Sequence, residues 1–160
     1  MNDWQDRVDA VWAAAEAIGD DEVVRRIDGL AAERPARDPV ACFERAGARD
    51  AAGREAEAEV LYREALAFGL AGSTRVQACI QLASTIRNRG RPREAIELLD
   101  LIEPDAGELG DAVVAFRALA LVDAGDARRA ASEALAALAP HLVRYRVSLS
   151  AYAAELAASA

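Results

Sequence analysis

Lysine is missing from this chain: all 19 basic side chains are arginine. The glycines within Phe68–Ser73 stand apart and no lysine follows them, so a glycine-rich phosphate loop is excluded. Histidine is almost as scarce. His141 is the only one, next to Pro140, which leaves no histidine-based triad or metal pair. Two cysteines, Cys42 and Cys79, cannot complete a four-ligand zinc site with that lone imidazole. The 27 carboxylates are too scattered for an acid–base pair to be picked out. Such a chain is expected to be no enzyme and to use no cofactor or metal. No apolar run approaches the roughly 20 residues of a membrane span. The opening MNDWQDRVDA is acidic and lacks an apolar signal region, so a cytoplasmic location is the expectation.

What the chain has in abundance is alanine, arginine and acid. A formal charge of −8 argues against partners such as nucleic acid backbone or anionic membrane. The alanine and arginine biases are what GC-rich coding leaves, so the number of arginines is not in itself a sign of a site. A chain of 160 residues fits one domain and can bury roughly 70% of its unfolded surface.

Its organising stretch runs from Val76 to Glu103. Cys79, Leu82, Ala83 and Ile86 follow the i, i+3, i+4, i+7 spacing of one helical face, and Ala95, Leu98, Leu99 and Ile102 repeat it. Between them, Gly90 can close one helix in the left-handed conformation, and Pro92 suits the first turn of the next. So short a turn forces an antiparallel hairpin with one apolar side.

The hairpin has copies. Gly53, Gly90 and Gly125 lie 37 and 35 residues apart, and Gly19 precedes Gly53 by 34. Seven residues before the first three stand Ala46, Ala83 and Ala118; five after stand Ala58, Ala95 and Ala130. Around Gly19 the same slots hold Trp12 and Val24, as in a degenerate end repeat. Cys42 and Cys79 occupy one slot of successive copies. Equivalent positions on neighbouring repeats are usually beyond the roughly 7 Å reach of a disulfide, so both read as buried thiols.

This pattern resembles the tetratricopeptide repeat family, whose unit is about 34 residues. Ala46, Gly53, Ala58, Tyr62 and Ala65 match the family pattern in one unit. Ala83, Gly90, Ala95 and Leu99 match it in the next, and Ala118, Gly125, Ala130 and Ala137 in the third. The usual tryptophan of the first helix is replaced by Cys42, Cys79 and Val114. The FERAGARDAAGREAEAEVLYREAL stretch is similar to a short bacterial group of the family. The resemblance implies an all-α, right-handed superhelical solenoid of about four helix hairpins plus a C-terminal capping helix. A single domain, 1–160, would then comprise a degenerate repeat 5–35, repeats 39–70, 76–103 and 111–139, and a capping helix 140–158.

In chain order, a first helix is expected from about Asp3 to Ile18, with Val8, Val11, Trp12 and Ala15 inward. A second carries Val24, Ile27 and Ala31, and Asp38 caps a third with Pro39 at its first position. Thr74 and Gln77 have capping-box spacing, which places Gly69–Thr74 in a connector. Residues 103–110 read as the longest loop. Pro140 opens a ninth helix along which Leu142, Tyr145, Leu149, Tyr152 and Leu156 alternate spacings of three and four. That stripe reads as the lid of the array or, alternatively, as a dimerisation seam.

Two sets of side chains are candidates for binding. Gln77, Gln81, Ser84 and Asn88 lie along one helical face opposite the apolar stripe, the side that lines the concave groove in the resembled family. A row of amides and a hydroxyl can bond a peptide backbone, or it can be a merely solvated face. Arg45 and Arg49 stand one turn apart in slots where the family has large apolar residues. Asp28, Glu44 and Asp50 are candidate partners in an internal ion-pair network. Alternatively Arg45, Arg49 and Arg87, beside Asp50, converge to receive a carboxylate. Phe116, Leu119 and Val122 fall toward the same side, as an apolar end of the same groove or, the better reading, as the surface that the ninth helix covers.

The expectation is a cytoplasmic adaptor that binds an unknown protein or peptide on its concave face, as a monomer. The alternatives are an oligomerising module that forms a homodimer through the ninth helix, and a small-molecule sensor with an enclosed pocket.

Overall fold

A computed structural model describes residues 3–158 of the chain. Among the described residues there is no strand, and the expected all-α architecture is the one observed. Ten helices follow in order: α1 Asp3–Ala13, α2 Ala15–Ile18, α3 Asp20–Ala31, α4 Pro39–Ala51, α5 Glu55–Ala67, α6 Gly72–Asn88, α7 Pro92–Ile102, α8 Gly110–Asp123, α9 Ala127–Leu138 and α10 Arg146–Ala158. None is long and apolar enough to cross a membrane. The helices form two compact units, one ending at Thr85 and the other beginning at Ile86, with the division inside α6. The outermost residues of the expected 1–160 domain, 1–2 and 159–160, lie outside the described part.

The hairpin turns are built as their glycines demand. At Gly90, φ is +79°, a left-handed conformation that a Cβ would strain. Gly90 N donates to Arg87 O at 2.9 Å and Arg91 N to Ile86 O at 3.2 Å, which satisfies the carbonyls left open at the end of α6. Gly53 and Gly125 close α4 and α8 with the same pair of bonds, Arg54 N to Arg49 O and Asp126 N to Leu121 O, both at 2.8 Å. At the starts, Asp38 Oδ1 accepts from Ala41 N at 2.9 Å, and Asp126 caps α9 through Arg129 N at 3.2 Å.

The small residues of the repeat are where helices meet. Ala46, Ala58, Ala83, Ala95, Ala118 and Ala130 are all buried, and Tyr62 and Leu99 are fully enclosed. In the first unit, Trp4, Val8, Val11, Val23, Val24 and Ile27 form a core under α4. In the second, Ala118, Leu121 and Ala130 pack with Ile96 and Ala134. Cys42 and Cys79 are buried free thiols, and burial pushes both above the ordinary thiol range.

Hydrogen bonds cross between first helices of successive hairpins. Trp12 Nε1 donates to Glu44 Oε2 at 2.8 Å, Thr85 Oγ1 lies 3.1 Å from Asp50 Oδ1, and Arg87 Nε donates to Asp123 Oδ2 at 2.6 Å. Their sequence separations of 32, 35 and 36 are one repeat each, so the period read in the glycines reappears in the contacts.

Four expectations are corrected. The first helix is interrupted at Ala14, and Trp4, one turn ahead of Val8, belongs to its inner face: its Nε1 donates to Leu30 O at 2.8 Å. Thr74 lies inside α6, which starts at Gly72, so the capping box does not form. Residues 103–109 are two 3₁₀ turns rather than an open loop. Pro140 lies in another 3₁₀ turn, not at a helix start. Leu142 is then extended and Tyr145 takes φ +69°, so neither lies on the last helix. The face of α10 that packs on α9 carries Leu149, Ala153 and Leu156, while Tyr152 is exposed.

Candidate functional site

Val23, Val24, Ile27 and Leu30 form the inner face of α3, and Asp28, next to Ile27, stands at the edge of that face toward α4. There it meets two guanidinium groups. Arg49 clamps it through both terminal nitrogens, Nη1 to Oδ1 at 3.0 Å and Nη2 to Oδ2 at 2.8 Å. Arg45 adds Nε to Oδ1 at 3.0 Å. Arg49 also reaches Glu57 Oε2 and the Arg45 carbonyl, both at 3.3 Å. Burial alone would raise the Asp28 carboxyl, but the bonds from Arg49 and Arg45 outweigh it and hold the group below the usual carboxylate range. With its side chain only 10% exposed, Arg49 needs these partners to be buried at all. Arg45, at 38%, keeps its terminal nitrogens free among the described residues. It lines a cleft of about 520 Å³ with Asp28, Arg34, Asp38 and Cys42.

Of the three carboxylates offered as partners for these arginines, only Asp28 takes them. Glu44 accepts from Trp12, and burial raises its carboxyl above the usual range. Asp50 faces hydroxyls: Tyr62 donates to Oδ2 at 3.4 Å and Thr85 Oγ1 lies at Oδ1. Desolvation raises Asp50 despite those bonds, with no ion pair to it among the described residues, and burial next to Asp50 raises the Tyr62 phenol in turn. Thr85 Oγ1 is also 3.0 Å from Gln81 O, so its single proton serves two acceptors. Arg87 pairs with Asp123 rather than with Asp28.

Along α6, Gln77 and Asn88 are exposed while Gln81, Ser84 and Arg87 are half-buried. Gln81 Oε1 is buried without a hydrogen-bond partner. On α8, Leu119 and Val122 are 46% and 52% exposed. The last helix does not cover them; it packs on α9, where Ser132 Oγ donates to Ala153 O at 2.7 Å.

One site escaped the sequence reading. Arg117, buried in α8, donates to Glu133 at 2.7 Å, to Asp100 at 3.1 Å and to Glu103 at 2.7 and 3.1 Å. The Glu103 bonds first, and Glu133 with them, raise the guanidinium further, and Arg117 holds Glu103 below the usual range. A signal existed: Arg117 stands eight residues before Gly125, as Arg45 does before Gly53.

Paired helices with buried alanines, glycine-closed turns and one-repeat contacts define a helical-repeat protein. A family model described as tetratricopeptide repeat matches residues 39–156, and the chain belongs to that family. Comparison with curated proteins returns no match. Membership makes the protein a member of a family of protein–protein interaction modules.

Proposed function

We propose that the protein is a non-catalytic cytoplasmic adaptor. It holds a peptide segment or partner helix on the concave face of a right-handed superhelical stack, the shape that its family implies. One observation carries this reading. Gln77, Ser84 and Asn88 lie along one face of α6 with no side-chain hydrogen bond among the described residues, an unspent supply of donors and acceptors for a peptide backbone. Arg87 stands beside that row, and Arg45 retains donors for a carboxylate. Arg49 and Asp50 support the face by fixing α4.

Pull-down with the full chain tests it. A protein partner should be recovered, and Gln81→Ala, Ser84→Ala or Arg87→Ala should weaken its capture. Wild-type capture by these variants, with capture abolished by changes on the second helices α5 and α7, removes the groove reading. The alternative, self-association through α10, draws on the exposed Val147 and Tyr152. Solution mass that does not change with concentration removes it.

A further inference from the structure

The region from Ala134 to Ala154 contains no aspartate or glutamate, in a chain that carries 27 of them. It contains Arg144 and Arg146, which have no ion pair among the described residues. Between and around them the apolar side chains point outward. Val143, Tyr145 and Val147 are 101%, 76% and 82% exposed, and Tyr152 and Leu138 are exposed as well. A shallow depression of about 410 Å³ runs along Leu142–Ser148. Tyr145 adds a backbone cost: at φ +69° a bulky side chain is strained, and its exposed ring recovers little by packing.

We propose that residues 142–152 form a docking surface for an acidic, apolar segment of a partner protein, separate from the face of α6. The chemistry selects that occupant. Exposed valines and tyrosines gain by burial, and tyrosine suits an interface because its hydroxyl stays hydrogen-bonded while its ring is covered. Two unpaired guanidinium groups offer bidentate bonds to carboxylates. An anionic membrane is a poorer match. Lipid recognition of this kind takes roughly four to eight clustered cations, and here there are two on a chain of net charge −8. A second copy docked patch to patch would bring the same two arginines and no carboxylate for them to bind.

The test is selection of random short peptides displayed on phage against the immobilised full chain. Enriched sequences should combine Asp or Glu with Leu, Ile or Phe. Their Kd for the full chain should rise about tenfold in Arg144→Ala/Arg146→Ala, a loss near 1.4 kcal/mol, and rise with salt. Tyr145→Gly relaxes the backbone, keeps the fold and should also weaken binding. Gln81→Ala should leave it unchanged, which separates this surface from the groove. Enriched peptides without acidic residues, or binding indifferent to Arg144 and Arg146, overturn the proposal. Equal cosedimentation with phosphatidylserine vesicles would assign the patch to lipid, and a concentration-dependent dimer lost in Arg144→Glu would assign it to a second copy. Either outcome overturns it too.

Discussion

Arg45 and Arg117 occupy the same register in different repeats, and each reaches back to carboxylate on the second helix of the hairpin before it. Arg45 finds Asp28 on α3; Arg117 finds Asp100 on α7 and Glu103 just beyond it. The family places large apolar side chains in this slot. Here charge joins the hairpins instead.

That exchange can be weighed at Arg49. Asp28→Ala leaves a buried guanidinium with Glu57 and the Arg45 carbonyl, both at 3.3 Å, and should cost about 3 kcal/mol or more. Arg49→Met removes the charge and keeps the volume, so it should cost clearly less, since Asp28 retains Arg45 and some water. Urea denaturation of both variants measures the order. Equal costs would mean that the pair, not the desolvated cation, sets the energy.

Arg117 differs because three carboxylates surround it. Arg117→Met leaves Asp100, Glu103 and Glu133 facing one another, and should cost about 3–5 kcal/mol at neutral pH. The sign of its pH dependence follows from Glu103. Its carboxyl is depressed in the folded protein, so its contribution is present above the unfolded value and is lost as pH falls through the folded one. The wild type should therefore lose stability in acid faster than Arg117→Met, and the gap between them should narrow. Melting temperatures at pH 7 and near pH 4 read this directly.

Asp50 carries the opposite sign. Its raised carboxyl favours the folded state only while protonated, a contribution lost as pH rises through the folded value. Asparagine suits the same place. Its oxygen can accept from Tyr62, its amide can donate to Thr85, and the Thr85 proton is then free for Gln81 O. Asp50→Asn should be more stable than wild type at pH 7 and gain little below pH 4. A loss at pH 7 would show that Asp50 holds a cation-like partner.

Turn backbone gives a pair of substitutions with opposite outcomes. Gly90→Ala forces a Cβ into a left-handed turn and should cost about 1–2 kcal/mol. Tyr145→Gly releases the same kind of strain from an exposed side chain and should be neutral or stabilising by about 1 kcal/mol. Thermal melts decide both.

Much of the fold was legible because its signals are local and recur. Gly53, Gly90 and Gly125 mark turns that need a left-handed residue, and alanines at fixed offsets mark close helix approach. The final helix was misread because Leu142 and Tyr145 continue an apolar spacing that backbone geometry does not honour. Spacing alone cannot register an extended Leu142. Nor could sequence choose among Asp28, Glu44 and Asp50 for the arginines, since that depends on which face of α3 meets α4. Arg117 was overlooked because the offset from the turn glycine was applied to alanines and not to charges.

The bonds Trp12–Glu44, Asp50–Thr85 and Arg87–Asp123 constrain how this protein can change in length. Adding one residue within a first helix rotates everything beyond it by about 100° and turns those donors away from their acceptors. Tolerated insertions should therefore fall between helices, at 32–38, 103–109 or 142–145, or else arrive as whole hairpins.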